Sequence, residues 1–287
     1  MRRILPLLLL ACMPALAQAE ACQDPRPLRF SLIPKKNMAE QLEHYRPLLN
    51  QLEKQLGRRV ETFQPTSYSS VIEGMLAGSI DIAELGAASY ALAKNRDPAA
   101  IEAFATHAHV RGTFNPEGKY YRSMLIVKSK SGYNDVTSLL GKNVNLTDPA
   151  STSGAVVPRS LFARHVGMPL ERYFSHVLYA GSHENAAQSV FNGFADAAFV
   201  ASTRLDETIA SGKFSPGDFR ILWRSEPIPN EPTVFRANLC EPLKEQIRKV
   251  YFSNSPELAP TLQKLKATEF MPAGDNDYAA IRKLVRE

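Results

Sequence analysis

The chain has 287 residues, 44% of them hydrophobic and 22% charged, with a formal net charge of +5. These are ordinary globular values with room for two lobes, and they exclude a disordered chain, a collagen and a coiled coil. Basic residues are interspersed with acidic ones and run no longer than pairs such as Lys35-Lys36 and Arg58-Arg59, so the excess is a solvated surface and not a nucleic-acid footprint.

Met1-Arg2-Arg3 is a short basic start, Ile4 to Leu16 is apolar, and Ala17-Gln18-Ala19 fits a small-x-small cleavage site. Residues 1–19 therefore read as a secretory signal peptide, too short to span a membrane. Leu9-Leu10-Ala11-Cys12 offers a lipoprotein signal as the minor alternative. Cleavage removes two arginines and no acid, leaving 32 basic residues against 29 acidic ones. It also leaves two cysteines, Cys22 and Cys240. In an oxidising compartment these pair as a disulfide, with two free thiols as the alternative.

Leu28 to Ile33 reads as a strand. Tyr45 to Leu56 follows with Leu48, Leu49, Leu52 and Leu56 at helical spacing, and Pro47 fits only in that helix's first turn. Val60–Phe63 is a strand, Ser67 an N-cap for a helix from Tyr68 to Ala77, and Ile80–Leu85 a strand before a helix opened by Gly86. Further strands fit Met124–Val127, Asn143–Leu146, Val177–Tyr179, Ala195–Val200 and Arg220–Trp223, with helices over 135–140, 154–166, 184–192 and 202–211. From Glu241 on, the tail reads as mostly helical. Repeated strand–helix units predict an α/β protein with parallel sheets. Extended stretches at 121–127 and 223–236 suggest two crossings, with residues 28–120 plus 237–287 as one lobe and 128–222 as the other.

The strongest local signal is Asp148-Pro149-Ala150-Ser151-Thr152-Ser153-Gly154, between a strand and a helix. Three hydroxyls at a helix N-terminus, where N–H groups lack partners and the dipole is positive, make an anion site; plain N-capping would need only one. Tyr68 beside its cap, Tyr121 at a crossing and His183 at a helix start are candidate further donors. There is no phosphate-cradling Gly-Lys-Ser/Thr loop, no His-Glu-x-x-His and no Gly-x-Ser-x-Gly elbow. His107 and His109 would share one face of a strand, but metal binding there is the minority reading, and no metal or cofactor is expected. No nucleophile with a base and an orienting group assembles, so an enzyme is not expected.

Tyr68-Ser69-Ser70-Val71-Ile72-Glu73-Gly74-Met75, Asp81-Ile82-Ala83 with Gly86, Asp148-Pro149 with Ser151-Thr152-Ser153-Gly154 and Pro158, His183-Glu184, Pro229 and Glu231-Pro232 occur in this order. In these residues the chain resembles the phosphonate/phosphite/phosphate-binding proteins of bacterial ABC importers, over about residues 28 to 270. The resemblance implies a type II periplasmic binding fold, two α/β lobes with two hinge strands and a ligand cleft between them. It implies that Ser151, Thr152 and Ser153 hold a phosphorus oxyanion, that Tyr68, Tyr121 and His183 add contacts, and that Glu231 faces a ligand ammonium. It also implies delivery to an inner-membrane permease; a sensory protein of the same fold is the alternative. A second carboxylate is missing after residue 200, where Ala201-Ser202-Thr203-Arg204 stands. Glu84 either replaces it in the cleft, pairs with Arg204, or is solvated or paired elsewhere.

Overall fold

The structure is a computed structural model that describes residues 22–286; the signal peptide assigned to residues 1–19 lies outside them. No helix among the described residues is long and apolar enough to cross a membrane.

In chain order the elements are β1 (Leu28–Leu32), α1 (Met38–Leu56), β2 (Val60–Phe63), α2 (Tyr68–Leu76), β3 (Ile82–Glu84), α3 (Ala87–Arg96), β4 (Ile101–His109), β5 (Tyr120–Tyr121), β6 (Ser123–Lys128) and β7 (Asn143–Leu146). They continue with α4 (Ala163–Val166), α5 (Leu170–Tyr173), β8 (His176–Tyr179), α6 (His183–Asn192), β9 (Ala197–Ala201), α7 (Ser202–Ala210), β10 (Phe219–Arg224), β11 (Ile228–Pro229) and β12 (Thr233–Arg236). The tail adds α8 (Glu241–Tyr251), α9 (Ala259–Lys264), β13 (Ala267–Pro272) and α10 (Ala279–Arg286).

Two sheets result. One has the order β13-β4-β12-β3-β1-β2, the other β10-β6-β9-β7-β8, and a short β11-β5 pair lies at the crossing. The sheets are mixed and not all parallel: β1, β2 and β3 run parallel, as do β7, β8 and β9, whereas β12, β4 and β13, and likewise β6 and β10, pair antiparallel. Each strand–helix–strand unit supplies the parallel half. The chain returning from the other sheet supplies the antiparallel half. Ser123–Lys128, expected to lie largely in a crossing, is a central strand of the five-stranded sheet.

The helix expected from Tyr45 begins at Met38, capped by the Asn37 side chain on the Glu40 N–H, and carries Pro47 in its interior. The stripe Leu42, Tyr45, Leu48, Leu49, Leu52 and Leu56 is buried against β1 and α8, and this packing outweighs the hydrogen bond that Pro47 removes. Residues 135–140 form only a single tight turn at Thr137–Leu139, closed off by Gly141 at positive φ. The helix expected over 154–166 is π-helical at Thr152–Val156 and Pro158–Phe162 before α4. Pro158 has no N–H to give the Gly154 carbonyl, and that carbonyl instead accepts from Thr147 N at 3.0 Å.

Three apolar clusters pack the faces of the two sheets. A fourth joins Tyr68, Leu85 and Ala88 of one layer to Ala150, Val157 and Ala201 of the other, with Tyr121 and Ile228 from the crossing. The Cys22–Cys240 disulfide ties the start of the described chain to the N-terminus of α8, beside a bridge between Gln23 and Leu239.

Candidate functional site

Helices α2, α3, α6 and α7 and the turn at Thr152 each begin just past the carboxyl end of a strand of the parallel halves, β2, β3, β8, β9 and β7 in turn. Their free N–H groups and positive dipole ends therefore gather on one side of both sheets, where the layers meet. Lobe-to-lobe contacts close that space. Thr152 Oγ1 accepts from Ala88 N at 2.8 Å, Ser89 Oγ donates to Ala150 O at 2.9 Å, and Lys213 Nζ lies 3.8 Å from Glu40.

The three consecutive hydroxyls do different work. Ser151 caps its own turn, accepting from Gly154 N at 3.1 Å. Thr152 reaches across to α3, whose N-cap position is Gly86 and supplies no side chain. The Ser153 carbonyl accepts from Ser123 Oγ at 2.6 Å. All three are buried. Gly154 is obligatory, because a Cβ there would lie 2.1 Å from Thr147 Oγ1. That same hydroxyl lies 3.1 Å from His183 Nδ1.

His183 opens α6 and is buried. Ala201 N–H donates to its Nδ1 at 3.2 Å; an amide N–H only donates, so the ring proton resides on Nε2. Burial, with Arg204 adding to it, pushes its pKa down to about 3. The imidazole is neutral and a donor at neutral pH.

Tyr68, Tyr121, His107, His109 and His183 are all buried, and the titration of each is perturbed by both Glu231 and Arg204. These side chains thus all lie within electrostatic reach of the same two charges, and the ligating atoms of His107, His109 and Glu231 lie within 4.8 Å of one another. Burial raises the Tyr68 and Tyr121 phenols, which stay protonated. Among the described residues, Tyr68 OH, Thr203 Oγ1, Arg204 Nε, Glu231 Oε2 and the Nε2 atoms of His107 and His109 are buried without a partner. Unpartnered buried polar atoms are rare and costly, and a group of them marks a place built for something else.

Glu231 Oε1 accepts from Arg204 at 2.9 Å. Burial raises its pKa, but Arg204, Lys35 and the two histidines outweigh that and hold it well below the carboxylate range. Arg204, the residue standing where an acid was missing, is therefore the partner of Glu231 and also of Glu207. Glu84 does not pair with Arg204: one oxygen accepts from Lys35 Nζ, the other from Tyr45 OH. Glu84 Oε2 also lies 4.0 Å from His107 Nδ1.

Lys35 and Thr203 were not among the candidates, and His107 and His109 entered only as a minority metal-binding reading. The alternation in Ala105-Thr106-His107-Ala108-His109 signalled a strand face with two imidazoles, but β4 itself was not foreseen. Lys35 gave no signal, since a surface lysine pair looks the same.

Residues 30–278 match the family described as the periplasmic substrate-binding protein of the phosphonate ABC transporter. The chain belongs to that family. Among relatives of this family, the phosphonates-binding periplasmic protein of Escherichia coli strain K12 is 31% identical over 276 residues, 94% of this chain and 79% of the relative. A phosphate-import protein of Mycolicibacterium smegmatis is 30% identical over 247 residues, 79% of this chain and 74% of that one. The solved binding component of a phosphonate ABC transporter from Pseudomonas aeruginosa superposes with a TM-score of 0.82 at 25% identity, covering 91% of this chain and 86% of that one. Members of the phosphonate-binding family serve an importer as its substrate-binding component, and this chain carries the type II fold of that family.

Proposed function

We propose that this binding protein captures a small phosphorus oxyanion, a phosphonate or its phosphite or phosphate relatives, between the two sheets. It then presents that oxyanion to the inner-membrane permease. The gathering of five N-terminal turns on one side of both sheets, beside the buried and unpartnered Tyr68 hydroxyl, carries this reading. Ser151, Thr152, Ser153, Tyr68, Tyr121 and the Nε2–H of His183 are its donors. They are neutral, so specificity comes from geometry, and lobe closure strengthens each bond by lowering the local dielectric. Export through a cleaved signal peptide over residues 1–19 belongs to the same reading.

The test is isothermal calorimetry and thermal shift with methylphosphonate, 2-aminoethylphosphonate, phosphite, phosphate, sulfate, acetate and amino acids. A ligand that binds only the folded state raises the melting temperature by mass action. Phosphorus oxyanions alone should shift it. A response confined to carboxylates or amino acids would overturn the assignment.

A further inference from the structure

We infer that the cleft also holds a divalent transition-metal ion, ligated by His107, His109 and Glu231. A ring nitrogen of each histidine and a carboxylate oxygen of Glu231 lie within 4.8 Å of one another, and all three residues are buried. On each, an atom able to ligate has no partner of any kind: His107 Nε2, His109 Nε2 and Glu231 Oε2. Two ligands about 2 Å from a tetrahedral zinc stand about 3.3 Å apart, so side-chain rotations of well under a turn close the set. The arrangement is two residues of β4 on one face, with the third clamped beside them. Thr106 Oγ1 donates to the Glu231 carbonyl, and Asn230 Nδ2 donates to the His107 carbonyl at 2.7 Å. Arg204 on Oε1 orients the carboxylate and leaves Oε2 free, the outer-shell arrangement that metal sites use.

An oxyanion oxygen is itself a fitting fourth ligand for such an ion. Two imidazoles with one carboxylate suit zinc, cobalt or iron(II) and not calcium or magnesium, which take oxygen. A cavity of about 360 Å³, bordered by His109, Asn115, Thr203 and Asp206, adjoins the site.

The inference goes beyond the oxyanion reading and is separable from it. The probes are Co2+, followed by its visible absorption, and Zn2+, followed by calorimetry, each titrated into EDTA-stripped protein without an oxyanion. One ion per chain is expected, lost in His107→Asn/His109→Asn and in Glu231→Gln, and retained in His44→Asn/His165→Asn/His176→Asn, which removes imidazoles outside the cleft. No stoichiometric binding to the wild type, or binding that survives the first two variants, overturns the site. Methylphosphonate calorimetry on the stripped protein reports on the oxyanion seat alone. If both hold, each should tighten the other by the same factor, because linkage is reciprocal.

Discussion

At the scale of single residues, the hydroxyl triplet separates into members with distinct duties, and substitutions should separate them too. Ser151→Ala removes a cap, which costs about 1 kcal/mol of stability, and lowers the melting temperature. Thr152→Val removes a hydroxyl that accepts from the α3 N–H and that the proposed function assigns to the ligand. A hydrogen bond to a charged group contributes about 1.5–3 kcal/mol. Combining the two substitutions should therefore weaken oxyanion affinity by roughly a hundredfold or more in calorimetry; unchanged affinity would remove the seat from this turn. Gly154→Ala drives a methyl into Thr147 Oγ1, with overpacking costs of about 1–3 kcal/mol. It should lower the melting temperature and weaken binding together, since Thr147 and His183 move with it.

At the scale of elements, legibility followed locality. β7 and α6 were readable because the signal of each, the alternation Asn143-Val144-Asn145-Leu146 and the helical span after His183, is complete within about ten residues. The turn that carries Ser151, Thr152 and Ser153 was readable for the same reason, since it lies at a junction of adjacent elements. β4 and β13 were not. Ile101–His109 is rich in alanine and histidine, with no strict alternation, and β13 reads as tail. β4 is a strand only because β12 and β13 lie beside it, and β13 only because β4 does, across more than a hundred residues of chain. The Arg204–Glu231 pair was hidden for the same cause, since it joins α7 to the segment before β12. Within α1, Pro47 interrupts the hydrogen-bond ladder without ending the helix. Pro47→Ala restores an N–H for the Glu43 carbonyl and should raise the melting temperature, which differential scanning calorimetry would read. A fall would mean that the ring's packing matters more than the missing bond.

At the scale of the whole molecule, two constraints act on stability. The Cys22–Cys240 link closes a loop of 218 residues in sequence separation. Loop-closure entropy for so long a loop is on the order of 5 kcal/mol as an upper figure. Reduction, or Cys22→Ser with Cys240→Ser, should lower the melting temperature markedly while leaving oxyanion affinity at low temperature nearly unchanged, because the bridge lies away from the cleft. The second constraint is protonic. His183 holds off its proton until about pH 3 in the folded chain, whereas the unfolded chain takes one below about pH 6.5. The unfolded state thus binds more protons across that window. His183 accordingly makes stability fall as pH drops from about 6.5, and in His183→Asn that dependence should be shallower in urea melts run across the same range. An unchanged slope would place the proton uptake elsewhere.

Thr152 and the Ala88 N–H meet only while the two layers are together. Parting them hands that N–H back to water, and on the proposed reading it strips the bound anion of a donor in the same movement. On that reading an ion leaving the cleft passes through the rupture of this bond, whereas an ion arriving finds both groups hydrated and waits for neither, so Thr152 governs dwell time more than encounter. In stopped-flow measurements Thr152→Val should shorten residence severalfold with little change in the association rate. A permease that prises the layers apart at this point would break the Thr152–Ala88 contact together with the neighbouring Ser89–Ala150 bond.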